Sequence, residues 1–141
     1  MKHHIHTTIN IQANVKTVWN TFTQFEEYPM WNSFIKSVKG EIMPGNKINI
    51  EIDGSKFTPK VLSFEKEKEL IWVGKLSLPF IFEGKHAFQF HENSDGTTTL
   101  THEEHFRGIL VPFMKKYLRG KATDGFKHWN TTLKEKSERQ T

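Results

Sequence analysis

The sequence contains no cysteine, which excludes disulfide bonds and thiolate chemistry. Its apolar runs are too short to span a bilayer, and it opens with the mostly polar segment MKHHIHTT rather than the apolar stretch of a secretory signal. Hydrophobic residues nevertheless make up 35% of the chain and charged residues 26%, a balance typical of a folded protein. We therefore expect a soluble, cytoplasmic protein.

A large excess of charge of one sign is also missing. The formal net charge is +4 with histidine neutral, and basic residues alternate with acidic ones over positions 64–69. One local basic cluster comprises Lys115, Lys116, Arg119 and Lys121, and the solvent-facing side of a helix accounts for it. Nucleic-acid binding depends on clustered cations that displace counterions from phosphates. We therefore expect no nucleic-acid partner, and the short apolar runs argue against stable insertion into a membrane.

The first forty residues predict a strand followed by two helices. Side chains alternate between apolar and polar over 3–12, which indicates a half-buried first strand. Asn14 is a suitable N-cap for a helix whose apolar residues recur at helical spacing until Pro29 interrupts the pattern. Apolar residues recur again at every third or fourth position over 30–40, which predicts a second short helix.

Five strands are expected after the two helices. Strand two, at 47–52, leads into the Asp53-Gly54 dipeptide, a strong signal for a tight hairpin. Strand three, at 56–64, contains Pro59, which cannot donate a ladder hydrogen bond and therefore implies an edge or a bulge. Strands four and five are predicted at 70–76 and 82–90, and strand six reaches Gly108.

The last predicted element is a long helix, because small and apolar residues recur at helical spacing from Met114 to Leu133. An antiparallel sheet with one apolar face needs a cover, and this helix carries the matching stripe. The predicted fold class is therefore α+β: a curved six-stranded antiparallel sheet wrapped around a long C-terminal helix, with two short helices after strand one. With 141 residues, the chain is expected to form a single domain over 1–141.

Four segments match a known pattern in both sequence and order: VKTVW at 15–19, YPMWN at 28–32, GTTTLTHEEHFRG at 96–108 and GFKHWNTTLK at 125–134. They resemble the helix-grip superfamily known as SRPBCC or START-like, specifically its polyketide cyclase/dehydrase and lipid-transport branch, over essentially the whole chain. The resemblance implies a cavity between the sheet and the C-terminal helix that binds or transports lipids, hormones or polyketide-like aromatics. It does not imply a particular reaction, because catalytic residues differ among its members.

Aromatic residues make up 13% of the chain and supply flat apolar walls for such a ligand. Three polar residues, His86, His102 and Glu104, follow the inward alternation of strands five and six. The predicted ligand-binding residues are Trp31, Phe34, Trp72, Phe82, His86, Phe88, His102, Glu104, Phe106, Leu118, Ala122, Phe126 and Trp129. Trp19, Phe22 and Phe90 are expected in an ordinary packed core.

Three functions remain compatible with the sequence. The first is a carrier or binding domain for a small hydrophobic molecule, in which the three polar residues orient the ligand. The second is an enzyme of the cyclase or dehydratase type, in which a buried histidine beside a carboxylate transfers protons. The third is a protein-interaction module of related fold.

We expect no cofactor and no functional metal site. His102 and His105 are three apart on a strand and therefore point to opposite faces, so they cannot share one ion. His4 and His6 share the exposed face of the first strand, where metal binding would be adventitious.

Two apolar segments, 76–82 and 109–113, lie at element boundaries. They are candidates for a portal to the cavity. Alternatively they pack against each other, or form a membrane or partner surface beside the basic cluster.

Overall fold

The structure is a computed structural model that describes residues 1–76 and 80–140. Its strands are β1 (Lys2–Ile11), β2 (Ile35–Lys39), β3 (Asn49–Ile52), β4 (Ser55–Phe57), β5 (Lys60–Glu65), β6 (Glu69–Leu76), β7 (Phe82–Glu92) and β8 (Thr98–Arg107). Its α-helices are α1 (Val15–Phe22), α2 (Tyr28–Trp31), α3 (Val111–Tyr117) and α4 (Thr123–Glu138), with a 3₁₀ turn at Phe25–Glu27 and a π-helical segment at Leu118–Ala122.

The described strands form two antiparallel sheets. The larger has the order β1-β8-β7-β6-β5, and the smaller has the order β2-β3-β4. The predicted α+β class, with a curved antiparallel sheet and a long C-terminal helix, is confirmed. The number of strands is larger than predicted, since residues 1–76 and 80–140 contain eight strands in two sheets instead of six strands in one.

The predicted second helix at 30–40 is largely wrong. Helix α2 ends at Trp31, and the rest of the segment forms β2. The Asn32 side-chain oxygen accepts hydrogen bonds from the backbone N–H groups of Phe34 and Ile35, which turns the chain into an extended conformation. The register of β2 then shifts after Ile35, so Ile35 and Val38 are both buried although they lie three residues apart. The three-residue spacing that predicted a helix therefore reflects this β-bulge.

The other extra strand comes from a break at Pro59. Predicted strand three is divided into β4 and β5, and Pro59 lies between them, in agreement with the expected irregularity. The expected hairpin is also present. Asp53 and Gly54 have φ values of 50° and 83°, the left-handed conformations that a tight turn between β3 and β4 requires.

The C-terminal helical region is continuous from Val111 to Glu138, and the π-helical segment lies within it. Its inward side chains Phe126, Trp129 and Leu133 are almost completely buried. Trp129 contacts the ring of Phe22 on α1, with centroids 6.5 Å apart. The aromatic residues expected in the core are buried together between α1, which carries Trp19 and Phe22, and β7, which carries Phe90.

The two apolar boundary segments pack against each other. The backbone N–H groups of Ile109 and Leu110 donate to the carbonyls of Phe80 and Ile81, each at 3.1 Å. Gly108 permits this approach, because a Cβ at its φ of 130° would collide with the Ile81 carbonyl. Part of the candidate portal, residues 77–79, lies outside the described residues. Within the described chain, no helix has both the length and the apolar character needed to cross a membrane.

Candidate functional site

A cavity of about 330 Å³ lies between the two sheets and the C-terminal helical region. The larger sheet contributes inward residues of β6, β7 and β8, and the smaller sheet contributes residues of β3 and β4. The helical region closes the cavity with Met114, Tyr117, Leu118, Ala122 and Phe126. Ser55, Lys75 and Leu76 line the cavity and are also exposed, so they mark the side on which it reaches solvent.

Most of the residues predicted to bind a ligand lie on the cavity wall. They are Phe34, Trp72, Phe82, His86, Glu104, Phe106, Leu118, Ala122 and Phe126. Four others do not line it: Phe88, His102 and Trp129 are buried, and Trp31 is partly buried on α2. Ligand contact by these four residues, as by the nine on the cavity wall, stays a prediction.

The smaller sheet provides a wall of the cavity that the sequence did not predict. Ile50, Ile52 and Phe57 line the cavity from β3 and β4, together with Asp53 in the turn between them. The alternation at 47–52 had marked the apolar face of this strand. It gave no information on which other elements that face would meet.

A chain of hydrogen bonds runs from β1 through α4 to β8, and its direction can be derived from one end. The Thr7 hydroxyl donates to the His102 carbonyl at 2.7 Å, so Thr7 Oγ1 can only accept from Asn130 Nδ2, which lies 2.8 Å away. Asn130 Oδ1 therefore faces His102 Nδ1 at 2.8 Å and accepts its proton. This arrangement fixes neutral His102 with its proton on Nδ1 and a free lone pair on Nε2.

The same chain continues to the cavity. His102 Nε2 lies 2.7 Å from His86 Nε2, so His86 donates from Nε2 and keeps a lone pair on Nδ1. Glu104 Oε1 lies 3.3 Å from that His86 Nδ1. A protonated Glu104 donates to this nitrogen and completes the chain, and every donor from Glu104 to Thr7 then has an acceptor.

Burial favours the neutral form of the three titratable groups in this chain of hydrogen bonds, His86, His102 and Glu104. It lowers the pKa of His86 well below its ordinary value and lowers the pKa of His102 to about 3, although the bond to Asn130 opposes the second shift. It also raises the pKa of the Glu104 carboxyl to about 8. At neutral pH, Glu104 is therefore a neutral hydrogen-bond donor with 15% of its side chain exposed, and it lines the cavity.

Gly84 makes room for the Glu104 carboxyl. It lies on β7 beside β8, and a Cβ at this position would overlap Glu104 Oε2 and press on the Phe106 ring. The absence of a side chain at this position therefore allows the carboxyl to reach both His86 and the cavity.

A second polar group lies on the helical side. The Tyr117 hydroxyl donates to Asp53 Oδ2 at 3.3 Å, and Lys121 Nζ lies 3.2 Å from Asp53 Oδ1. Burial, with the nearby charge of Asp53, raises the pKa of Tyr117 to about 12. These contacts connect the β3–β4 turn to the helix across the cavity wall.

The arrangement as a whole is that of a helix-grip protein: a curved sheet holds a long helix and encloses a largely apolar cavity with a few polar groups. A family model described as "Polyketide cyclase / dehydrase and lipid transport" matches residues 2–136. The chain belongs to this family, which confirms the resemblance stated from its sequence segments. No curated protein matches the chain.

Solved structures show the same fold. Hypothetical protein jhp0584 from Helicobacter pylori superposes with a TM-score of 0.82 at 14% identity, covering 96% of this chain and 88% of that one. A START superfamily protein from Mycobacterium smegmatis gives a TM-score of 0.72 at 19% identity, with 99% of both chains covered. The ZhuI aromatase/cyclase from Streptomyces sp. R1128 gives 0.76 at 12% identity, with coverage of 99% and 96%. At these identities, the similarity concerns the fold alone.

Proposed function

We propose that the protein binds a small, largely apolar ring compound that carries one hydrogen-bonding oxygen, in the cavity between the sheets and the C-terminal helix. The observation that carries this proposal is the neutral Glu104 carboxyl, which lies on the wall of an otherwise largely aromatic and aliphatic cavity. Family membership supports the same class of ligand. The ligand is held in place by shape and by one hydrogen bond to this carboxyl.

The size and walls of the cavity support a ligand of modest size. A volume of about 330 Å³ is near the lower end of the range of roughly 300–1,000 Å³ that is usual for small-molecule pockets. The walls include the rings of Phe34, Trp72, Phe82, Phe106 and Phe126. Flat rings pack well on such walls in stacked or edge-on arrangements, which favours an aromatic ligand over a long acyl chain.

The polar anchor favours a carbonyl or hydroxyl over a carboxylate on the ligand. The protonated Glu104 carboxyl has one proton, and while it donates that proton to His86 its other oxygen can only accept, for example from a ligand hydroxyl. If the proton turns towards the cavity, it donates to a ligand carbonyl instead, and His86 Nδ1 loses its donor. A ligand carboxylate would place an uncompensated negative charge in a poorly hydrated cavity beside the neutral Glu104, which is costly. The proposal therefore ranks neutral oxygenated aromatics above fatty acids.

The first experiment is native mass spectrometry of freshly purified protein, followed by extraction of released compounds. A thermal-shift screen then compares hydroxylated or carbonyl-bearing polycyclic aromatics with fatty acids and sterols. Stabilisation by the first group supports the proposal. Stabilisation by fatty acids alone contradicts the ranking, and no stabilisation by any group contradicts binding.

Ala122→Leu tests whether the cavity is the binding site. The larger side chain fills space on the cavity wall, and we expect at least a tenfold loss of affinity while the fold is kept. His128→Leu is the matched control, because His128 is exposed on the same helix and its substitution leaves the cavity unchanged. Equal affinities for both variants would place the ligand elsewhere.

A second candidate function is catalysis of a cyclisation or dehydration. It is favoured by the pKa of about 8 for Glu104, because an acid or base works best when its pKa is near the working pH. The aromatase/cyclase that shares this fold makes ring-forming chemistry the natural reaction to test. Glu104 would exchange a proton with the carbonyl-bearing substrate, and His86 would orient the carboxyl through the contact at its Nδ1.

Glu104→Gln separates the two candidates. Glutamine keeps a donor for His86 Nδ1 and nearly the same volume, but it cannot transfer a proton. A binding protein should keep its ligand affinity within a few-fold in this variant. An enzyme should keep binding and lose nearly all turnover of a poly-β-carbonyl substrate.

A further inference from the structure

Three histidines and one glutamate come together on the outer face of the larger sheet, away from the cavity. β1 and β8 pair so that His4 lies directly opposite His105 and His6 lies directly opposite Glu103. The four residues therefore form two neighbouring cross-strand pairs on one face of the sheet. All four reach solvent, with side-chain exposures of 43% for His4, 50% for His6, 20% for Glu103 and 59% for His105.

The Glu103 carboxylate lies at the centre of this group. Its Oε1 is 3.3 Å from His105 Nε2 and 3.8 Å from His4 Nε2. Its other oxygen, Oε2, is 3.3 Å from His6 Nε2. The His4 and His105 rings are stacked, with centroids 3.9 Å apart and planes within 10° of parallel, so they approach the carboxylate from one side.

These distances are close to those of a metal centre. Zinc binds nitrogen and carboxylate oxygen at about 2.0–2.2 Å, which places two ligands of a tetrahedral ion about 3.4 Å apart. The coordinating atoms of His4, Glu103 and His105 all lie within 4.8 Å of one another. Exposed side chains can close the remaining difference by small rotations, without any movement of the paired strands.

We propose that His4, Glu103 and His105 bind a divalent transition-metal ion, Zn²⁺ in the first instance. Two imidazoles and one carboxylate form a ligand set that zinc uses when a fourth position stays open for water or another molecule. Glu103 Oε1 is the ligand oxygen, and His6 is a positioning residue that donates to Oε2 and orients the carboxylate.

Positively charged side chains near the cluster oppose the binding of a cation and limit the affinity for the metal ion. Lys85 on β7 lies directly opposite His105, and the groove beside His4 and His105 also contains Lys2 and Arg107. The ion pair between Arg107 and Glu83, at 2.7 Å, partly offsets the charge of Arg107. Removal of the Lys85 charge is therefore expected to strengthen metal binding.

The strand register is the reason that sequence analysis did not identify this group. His4 and His6 alone share a strand face and predict only adventitious binding. Glu103 and His105 lie about one hundred residues away along the chain, and only the β1–β8 pairing brings them opposite the first two. A bound ion would therefore link the edge strand β1 to its neighbour β8.

Isothermal titration of the metal-free protein with ZnCl₂ tests the proposal, with native mass spectrometry to count bound ions. We expect one ion per chain, and we expect His105→Gln and Glu103→Gln to abolish this saturable binding. His6→Ala should weaken it about tenfold, the usual effect of removing a group that orients a ligand. Lys85→Gln should strengthen it. Unchanged affinity in His6→Ala would overturn the role given to His6.

His91→Gln is the matched control, because His91 is exposed on β7 and lies outside the cluster. It should bind Zn²⁺ as the unchanged protein does. Hydrogen exchange provides a second measurement: Zn²⁺ should slow exchange of β1 amides in the unchanged protein and not in His105→Gln. The proposal is overturned by the absence of a one-to-one complex, by full binding in His105→Gln, or by an equal loss in His91→Gln.

Discussion

His86 and Glu104 occupy directly opposed positions on β7 and β8, and Glu104 Oε1 lies 3.3 Å from His86 Nδ1. Cross-strand partners share one face of a sheet, so this register turns both side chains inward. The inner end of the pair continues through His102 to Asn130, while the outer end reaches the cavity. A ligand that contacts Glu104 therefore contacts the end of a hydrogen-bond chain that crosses the protein core.

The stability of the protein should be greatest near pH 6.5. The ordinary pKa values are 6.5 for histidine and 4.5 for glutamate, and burial lowers the pKa values of His86 and His102 and raises that of Glu104 to about 8. Between pH 4.5 and 6.5, unfolding takes up two protons and releases one, so stability rises by about 1.4 kcal/mol per pH unit. Between pH 6.5 and 8, unfolding only releases the Glu104 proton, so stability falls with pH at about the same rate. Urea denaturation from pH 5 to 8.5 measures this curve.

Glu104→Gln should abolish the fall in the free energy of unfolding between pH 6.5 and 8. The glutamine does not titrate, so unfolding no longer releases a proton between pH 4.5 and 8. We expect the free energy of unfolding to rise up to about pH 6.5 and then stay nearly constant to pH 8. A variant that still loses about 2 kcal/mol between pH 6.5 and 8 would show that another group causes the decline.

Asn130→Leu should destabilise the protein by about 3 kcal/mol. The substitution leaves His102 Nδ1–H without an acceptor in the core and removes the donor to Thr7. Ser137→Ala is the control on the same helix, because the Ser137 hydroxyl is buried and has no hydrogen-bond partner among the described residues. Its removal should be neutral or slightly stabilising, as measured by chemical denaturation. Similar losses in both variants would show that the network adds little.

Gly84→Ala should weaken ligand binding by moving Glu104 away from His86. The new methyl group would occupy the position of Glu104 Oε2, and this flexible carboxyl is the group that can move. The cost in stability should be modest, about 1 kcal/mol. Gly120→Ala is the control, since among the described residues none lies within 4 Å of its added methyl group, and Gly120 is not on the cavity wall. Thermal-shift titration with the identified ligand should show a loss of affinity in Gly84→Ala alone.

Gly125→Ala should cost about 3 kcal/mol, because the new methyl group would overlap the Phe34 ring, which is packed in the core. Gly120→Ala is the matched change five residues earlier, where no atom in the described part of the chain lies within 4 Å of the added one. It should stabilise the protein by about 0.5–1 kcal/mol through the higher helix propensity of alanine. The two melting temperatures should shift in opposite directions, and a shift in the same direction would contradict this account of Phe34 packing.

Local periodicity was sufficient to predict most strands, the hairpin at Asp53-Gly54 and the last helix, because each depends on neighbouring residues. It failed at 35–39, where a bulge places buried side chains three apart and imitates a helix. The inward positions of His86 and Glu104 followed from alternation, and both line the cavity. The bonds between Thr7, His102 and Asn130 could not be predicted, because they depend on how β1 and α4 meet β8.

Ligand binding by the residues on the cavity wall stays a prediction, as does the single-domain organisation of 1–141. The expected cytoplasmic location also stays a prediction. The metal proposal revises the expectation for His4 and His6, since the strand register adds Glu103 and His105 to them.

The π-helical segment at Leu118–Ala122 determines which face of the following helix α4 is turned towards the sheet. Met114, Leu118, Ala122 and Phe126 all line the cavity at intervals of four residues. In a regular α-helix, each such interval overshoots a full turn by about 40°, so three intervals would rotate Phe126 about 120° away from the face of Met114. One wide turn absorbs this overshoot. A single deletion there, such as that of Gly120, would therefore shift the phase of the whole of α4 against the sheet.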